Sequence, residues 1–194
     1  MSRQLILASS SPRRQQLLEQ VKIPFDIRKP DVDESIISSR SPESKVEQLA
    51  KLKADHVSLL TEQEVILAAD TVVSYQGDIF EKPHTEEDAM NMLSALSGQV
   101  HEVYTGVAIR TSDRIKVLAE KTEVEFWPLS SKEIHHYIST MDPFDKAGAY
   151  GIQSIGATFV KRIIGDYYNV VGLPISRVVR ELRDFSIYPS FFQS

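Results

Sequence analysis

The sequence predicts an α/β protein: a mixed, twisted sheet with flanking helices, held in a single domain over residues 1–194. Strand-like apolar runs interleave with stretches of helical spacing, and hairpin turns occur beside longer crossovers. No linker, repeat or low-complexity tract divides the chain. The hairpins argue against a purely parallel doubly wound sheet.

Residues 4–8 (QLILA) form a short apolar run before a polar turn, which suits a buried strand. Pro12 sits where a helix can begin, and Leu17, Leu18 and Val21 recur at helical spacing. Residues 23–28 (IPFDIR) predict a second strand, and the polar stretch from Lys29 predicts a loop. Ser41-Pro42 opens a helix carrying Val46, Leu49, Ala50, Lys53 and Val57.

Residues 64–75 (EVILAADTVVSY) predict a central strand pair or one long strand, and Gln76-Gly77-Asp78 a hairpin turn. Residues 85–97 predict the clearest helix, with Thr85 as cap, acids in the first turn, Met90, Leu93 and Leu96 facing inward, and Gly98 as the stop. Residues 100–110 and 115–127 alternate as an antiparallel pair, and 130–141 is helical. A strand over 157–163, an apolar strand after Tyr167 and Tyr168, a helix over 174–185 and a loosely held tail from Tyr188 complete the expectation.

Composition narrows the function. A net charge of -5 disfavours nucleic acid and anionic membrane as partners, both of which need a basic surface. No cysteine is present, which removes disulfides, thiolate metal sites and cysteine nucleophiles. The apolar run at Leu5–Ala8 is too short for a signal-peptide core, so a cytoplasmic location is expected.

Four groups of residues could carry chemistry. Ser9, Ser10, Ser11, Arg13 and Arg14 fall in a strand-to-helix turn, where free N–H groups and the helix dipole favour phosphate. The same residues would also make a capped helix with two solvated arginines. Asp70 interrupts an apolar run and is costly to bury without partners. It suits a metal ligand or a water-activating acid, or else a capped strand end. Thr71 beside it adds a hydroxyl. Asp31, Asp33 and Glu34 are oxygen donors suited to magnesium or manganese, or a solvated acidic loop. Lys53, Lys82 and Lys146 supply cations, and the glycine-containing stretch 145–153 ends in Gln153, whose amide can read a base edge. The five histidines show no metal-like spacing, and no Ser-His-Asp arrangement is apparent.

Together, LILASSSPRRQQLL, VDE at 32–34, AKLKA at 50–54, AADTVV at 68–73, EKP at 81–83, LSG at 96–98, YTGVAI at 104–109, DKAGAYGIQ at 145–153 and GDYYNVVGLP at 165–174 resemble the Maf family of nucleotide pyrophosphatases. The motifs run in family order across nearly the whole chain. The resemblance implies two lobes around a deep cleft, a fold related to the inosine-triphosphate pyrophosphatases, and cleavage between the α- and β-phosphates of a small-molecule nucleoside triphosphate with a divalent cation, Mg2+ or Mn2+. It implies catalytic roles for Asp70, Glu34 and Lys82, with Asp70 and Glu34 as metal ligands. Ser9, Ser11, Arg13, Arg14, Lys53, Thr71 and Gln153 would bind substrate. Arg13, Thr71 and Gln153 match the subgroup acting on dTTP and UTP, modified pyrimidine triphosphates included. The alternatives are 7-methyl-GTP as substrate, or a non-catalytic nucleotide-binding regulator of septum formation. The oligomeric state stays open, a homodimer included.

Overall fold

The computed structural model describes residues 3–192. Its strands are β1 (Gln4–Leu7), β2 (Phe25–Ile27), β3 (Glu64–Tyr75), β4 (Asp78–Phe80), β5 (Val100–Arg110), β6 (Ile115–Phe126) and β7 (Val160–Ile164). Its α-helices are α1 (Pro12–Gln20), α2 (Pro42–Asp55), α3 (Glu86–Leu96), α4 (Ser131–Ile138), α5 (Tyr167–Val171) and α6 (Ile175–Arg183), and short 3-10 turns fill several connections. One seven-stranded sheet runs in the order β2-β1-β3-β5-β6-β7, with β4 attached to β3. The first strand pairs in parallel with β2 and β3. All other pairings are antiparallel, so the expected mixed sheet is present.

The long strands make two lobes from one sheet. Side chains alternate between sheet faces. On one face, Val65 and Leu67 of β3 with Val107 and Ile109 of β5 pack with Leu17 and Leu18 of α1 and Val178 and Leu182 of α6. Farther along the sheet, Val73 of β3, Val103 of β5 and Val124 and Phe126 of β6 pack with Leu93 and Leu96 of α3 and Ile134 of α4. The opposite face presents Ile66, Ala68 and Ala108 to Ala50 and Ala54 of α2.

Small residues let α2 lie close to the sheet. A Cβ at Gly106 would stand 2.1 Å from the Val46 carbonyl oxygen. Gly106 is the cross-strand partner of Asp70, so both positions project toward this helix.

One edge of β3 is interrupted. Its pairing with β1 runs from Glu64 to Leu67, and its pairing with β4 begins at Val73. Between them, Ala68–Val72 face no strand on this side, while the other edge pairs continuously with β5. Asp70 and Thr71 lie in that opening, one toward each face of the sheet.

Several expectations hold in detail. The Thr85 hydroxyl caps α3 by accepting from Asp88 N at 3.0 Å, and the Asp88 carboxylate accepts from Thr85 N at 3.0 Å, a reciprocal capping box. Gly98 follows α3 at φ 70°, in the left-handed region that favours glycine. Residues 64–75 form one continuous strand rather than a pair.

Three expectations need correction. The strand after Tyr167 and Tyr168 is the short helix α5, begun by the Asp166 side chain accepting from Tyr168 N at 2.8 Å. The strand expected over 157–163 starts at Val160, because Ile155–Phe159 form a 3-10 turn. The terminal segment is tied back by Ser190 N donating to the Lys22 carbonyl at 2.8 Å. Gln193 and Ser194, at the end of the expected tail, lie outside the described residues. Among the described residues no helix is long and apolar enough to cross a membrane.

Candidate active site

A cleft of about 430 Å³ opens at the unpaired stretch of β3, within the size range of small-molecule sites. The residues to which the family resemblance gives roles line it: Ser9, Ser11, Arg13 and Arg14 on one side, Glu34, Lys53, Asp70 and Thr71 at the sheet, and Lys82 and Gln153 on the other lobe. Val73, Val103, Ile152, Val170 and Val171 supply apolar wall.

The first wall is the start of α1. Pro12 occupies its first turn, and the Ser11 side chain makes no capping bond, so the helix start keeps N–H donors for an anion. Ser9 Oγ accepts from Ser11 N at 3.1 Å and from Arg14 Nη1 at 3.3 Å. The Arg14 guanidinium also donates from Nε to the Gly172 carbonyl at 2.8 Å and from Nη2 to Thr71 Oγ1 at 3.2 Å. Burial pushes its pKa down from the ordinary guanidinium value, and the attraction of Asp70 opposes that shift. Arg14 is thus oriented by the turn before α1, by β3 and by the turn after α5.

Thr71 is fixed in turn. Thr105 Oγ1 donates to the Asn169 carbonyl at 3.0 Å, which uses its only hydroxyl proton. The 2.8 Å contact between Thr71 Oγ1 and Thr105 Oγ1 therefore takes the proton of Thr71. With Arg14 donating to it as well, Thr71 Oγ1 has only acceptor capacity left for a ligand.

At the sheet, Lys53 Nζ of α2 lies 2.5 Å from Asp70 Oδ1 and 3.0 Å from Glu34 Oε1. Lys53 and Asp70 are buried, whereas Glu34 is exposed in a 3-10 turn before α2. Both carboxylates converge on one cation, the Lys53 ammonium. The all-oxygen donor pair fits Mg2+ or Mn2+. Among the described residues no group of three or more metal-ligating side chains gathers anywhere, so phosphate oxygens and water would have to complete a metal's shell. Asp31 and Asp33, also considered in the acidic loop, do not line the cleft, and Asp33 instead caps its own turn.

The far wall is built around Asp142. Its Oδ2 accepts from Tyr137 Oη at 2.6 Å and from Ser154 Oγ at 2.5 Å, and Lys146 Nζ donates to its Oδ1 at 3.0 Å. Burial pushes the Asp142 pKa up, but these bonds together hold it below its ordinary value. Gly148, at φ 69°, presses on β3, and a Cβ there would come within 2.6 Å of Val73 Cγ2. This packing sets the path of the segment that ends in Gln153, whose side chain is exposed at the cleft.

Three further groups at the cleft have roles that the motifs do not signal. Asp145 binds Arg13 across the cleft, Nη1 to Oδ2 at 2.7 Å and Nη2 to the carbonyl at 3.1 Å. Thr105 directs the Thr71 hydroxyl, and the Gly172 carbonyl holds Arg14. The first pairing spans 132 positions of sequence, and the last uses a main-chain oxygen, which no residue type reveals. Thr105 stands directly opposite Thr71 in the β3–β5 pairing, a register that residue type does not reveal.

A mixed α/β scaffold with a cation-lined cleft and paired carboxylates at a sheet edge defines a site for a phosphorylated small molecule. The chain belongs to the Maf family: the family model described as Maf-like protein matches residues 4–185. A relative from Halalkalibacterium halodurans named dTTP/UTP pyrophosphatase is 54% identical over 92% of this chain and 94% of its own length. One from Bacillus cereus strain AH187, with the same name, is 51% identical over 95% of this chain and 97% of its own length. The solved structure of the Staphylococcus aureus Ham1 protein aligns with 64% of this chain and 72% of its own at 13% identity and a TM-score of 0.45, too remote to bear on function.

Proposed function

We propose that this chain is a nucleoside triphosphate pyrophosphatase that hydrolyses dTTP and UTP to the monophosphate and pyrophosphate. The observation that carries the reading is the convergence of Asp70 and Glu34 on one cation position at the open edge of β3. The printed names of relatives near half identity along almost the full length support the same substrates.

In this reading the apolar wall takes the base, and the charged side chains at the open edge of β3 take the triphosphate. Asp70 orients and deprotonates the water that attacks the α-phosphorus. The bond between that phosphorus and the α,β-bridging oxygen breaks, and pyrophosphate leaves. Arg13, Arg14, Lys53, Lys82 and the start of α1 offset the charge on the phosphates, where most of the rate gain would arise. Ser9 and Ser11 shape that approach. Asp70 and Glu34 would hold a divalent cation, which supplies charge neutralisation across the phosphate oxygens. Thr71, restricted to accepting, suits the N3–H of uracil or thymine, and Gln153 suits the neighbouring carbonyls. We take residues 1–194 as one functional domain in the cytoplasm, acting on a free nucleotide rather than on nucleic acid or membrane.

The test is a panel of nucleoside triphosphates with Mg2+ or Mn2+, read by separating monophosphate plus pyrophosphate from diphosphate plus phosphate. The reading expects UTP and dTTP to give monophosphate and pyrophosphate, only with the metal. Diphosphate and phosphate as products would refute it.

A further inference from the structure

We propose that Lys53 closes the divalent-cation position of the ligand-free protein, so that the metal enters with the nucleotide rather than ahead of it. The inference rests on the pyrophosphatase reading of this cleft, and it concerns the order of events there. Its basis is the ammonium contact with both carboxylates, 2.5 Å to Asp70 and 3.0 Å to Glu34.

Two ligands cannot share that point. A divalent ion bound by both carboxylates would lie close to the Lys53 ammonium, and a doubly charged ion facing an ammonium a few ångströms away in a partly desolvated site is repelled strongly enough to lose at least about tenfold in affinity. The ammonium must therefore move before a metal can bind, and moving it needs another anion. The protein offers few, because the Lys53 side chain is only 11% exposed and leaves α2 pointing at Asp70. A triphosphate supplies that anion and brings its own metal ligands. Lys53 would then pass from the carboxylates to phosphate as the metal takes its place.

The arrangement has a reason in stability as well. Asp70 stands among apolar strand residues, and an unpaired carboxylate there would be costly. Lys53 keeps it paired while the cleft awaits substrate. Arg14, held by Ser9, Thr71 and Gly172, is not free to replace it.

The test measures Mn2+ binding to the full chain without nucleotide, by the loss of the free-ion electron paramagnetic resonance signal. Wild type should bind weakly. Lys53→Met should bind at least about tenfold more tightly, a conservative fraction of the repulsion removed. Lys53→Arg, which retains the charge, should show no such gain. The double variant Lys53→Met with Asp70→Asn should lose the gain, which locates the ion. Equal Mn2+ affinity in wild type and Lys53→Met would overturn the proposal. If Lys53→Met does not fold, wild type decides alone: tight nucleotide-free binding abolished by Asp70→Asn overturns it, and weak binding insensitive to Asp70→Asn supports it. UTP turnover by wild type is recorded separately, so failure of the substrate assignment is distinguishable from failure of this one.

Discussion

Arg13 of α1 and Asp145 of the opposite lobe close the cleft with a two-point clasp, one bond to the carboxylate at 2.7 Å and one to the main-chain carbonyl at 3.1 Å. The guanidinium expected to meet phosphate is therefore occupied before substrate arrives. The carboxylate is mostly exposed, so the pair adds little to stability, about 0.2–1 kcal/mol. Its consequence lies in binding: Arg13 must leave Asp145 to reach a triphosphate. Asp145→Asn should lower the KM for UTP severalfold with little change in Tm. A higher KM would mean that the pair builds the site rather than masks it.

Gly106→Ala tests how the sheet positions Lys53 against Asp70. The new methyl would meet the Val46 carbonyl oxygen at 2.1 Å, and a helix backbone cannot step aside locally. The helix must lift, at a cost of about 1–3 kcal/mol or more, carrying Lys53 away from Asp70. Both Tm and UTP turnover should fall. An unchanged Tm would show that α2 does not need that close approach.

A buried histidine gives a pH signature. His101 is enclosed by Phe126 and Tyr150, with Nε2 2.9 Å from Tyr150 Oη, and burial pushes its pKa down to about 4. Below the ordinary value near 6.5 the unfolded chain takes up a proton that the folded chain refuses. Stability from this group is full above that pH, declines as pH falls toward 4, and then levels off. The loss is about 3 kcal/mol over that span. His101→Gln keeps a polar partner for Tyr150 and removes the titration. Urea unfolding at about pH 7 and about pH 4.5 should show wild type losing about 2–3 kcal/mol more than the variant, because carboxylate losses are common to both. Parallel losses would contradict the assignment.

Gln153→Ala addresses base selection. The amide stands at the end of a segment fixed by Asp142 and Gly148, exposed to the cleft. Its removal should reduce UTP-over-GTP preference, mainly through the UTP KM, while the melting temperature stays near that of wild type. A preserved ratio with a lower kcat would assign it elsewhere.

Much of this was legible in the chain because the signals were local. Thr85 and Asp88 announce α3 through cap chemistry, and Asp70 announces itself as an acid inside an apolar run. The residues named by motif line one cleft, whereas Asp31 and Asp33, named by type alone, do not. The misses share a physical cause. Five residues of α5 are too few to display a helical period, so its apolar stretch resembles a strand, and Asp166 was the available clue. The opening in the β3 edge depends on where β1 stops and β4 starts, a matter of register that composition does not encode. Arg13 with Asp145 is a contact between distant segments, visible only once the lobes face each other.

In the proposed reaction, water poised by Asp70 attacks the innermost phosphorus of a pyrimidine triphosphate. Hydrolysis of UTP in oxygen-18 water, with the products separated and weighed by mass spectrometry, tests this most directly. Label should appear in UMP and not in pyrophosphate, and Asp70→Asn should cut the rate by orders of magnitude while leaving the melting transition cooperative. Label in pyrophosphate, or a wild-type rate in the variant, would contradict it.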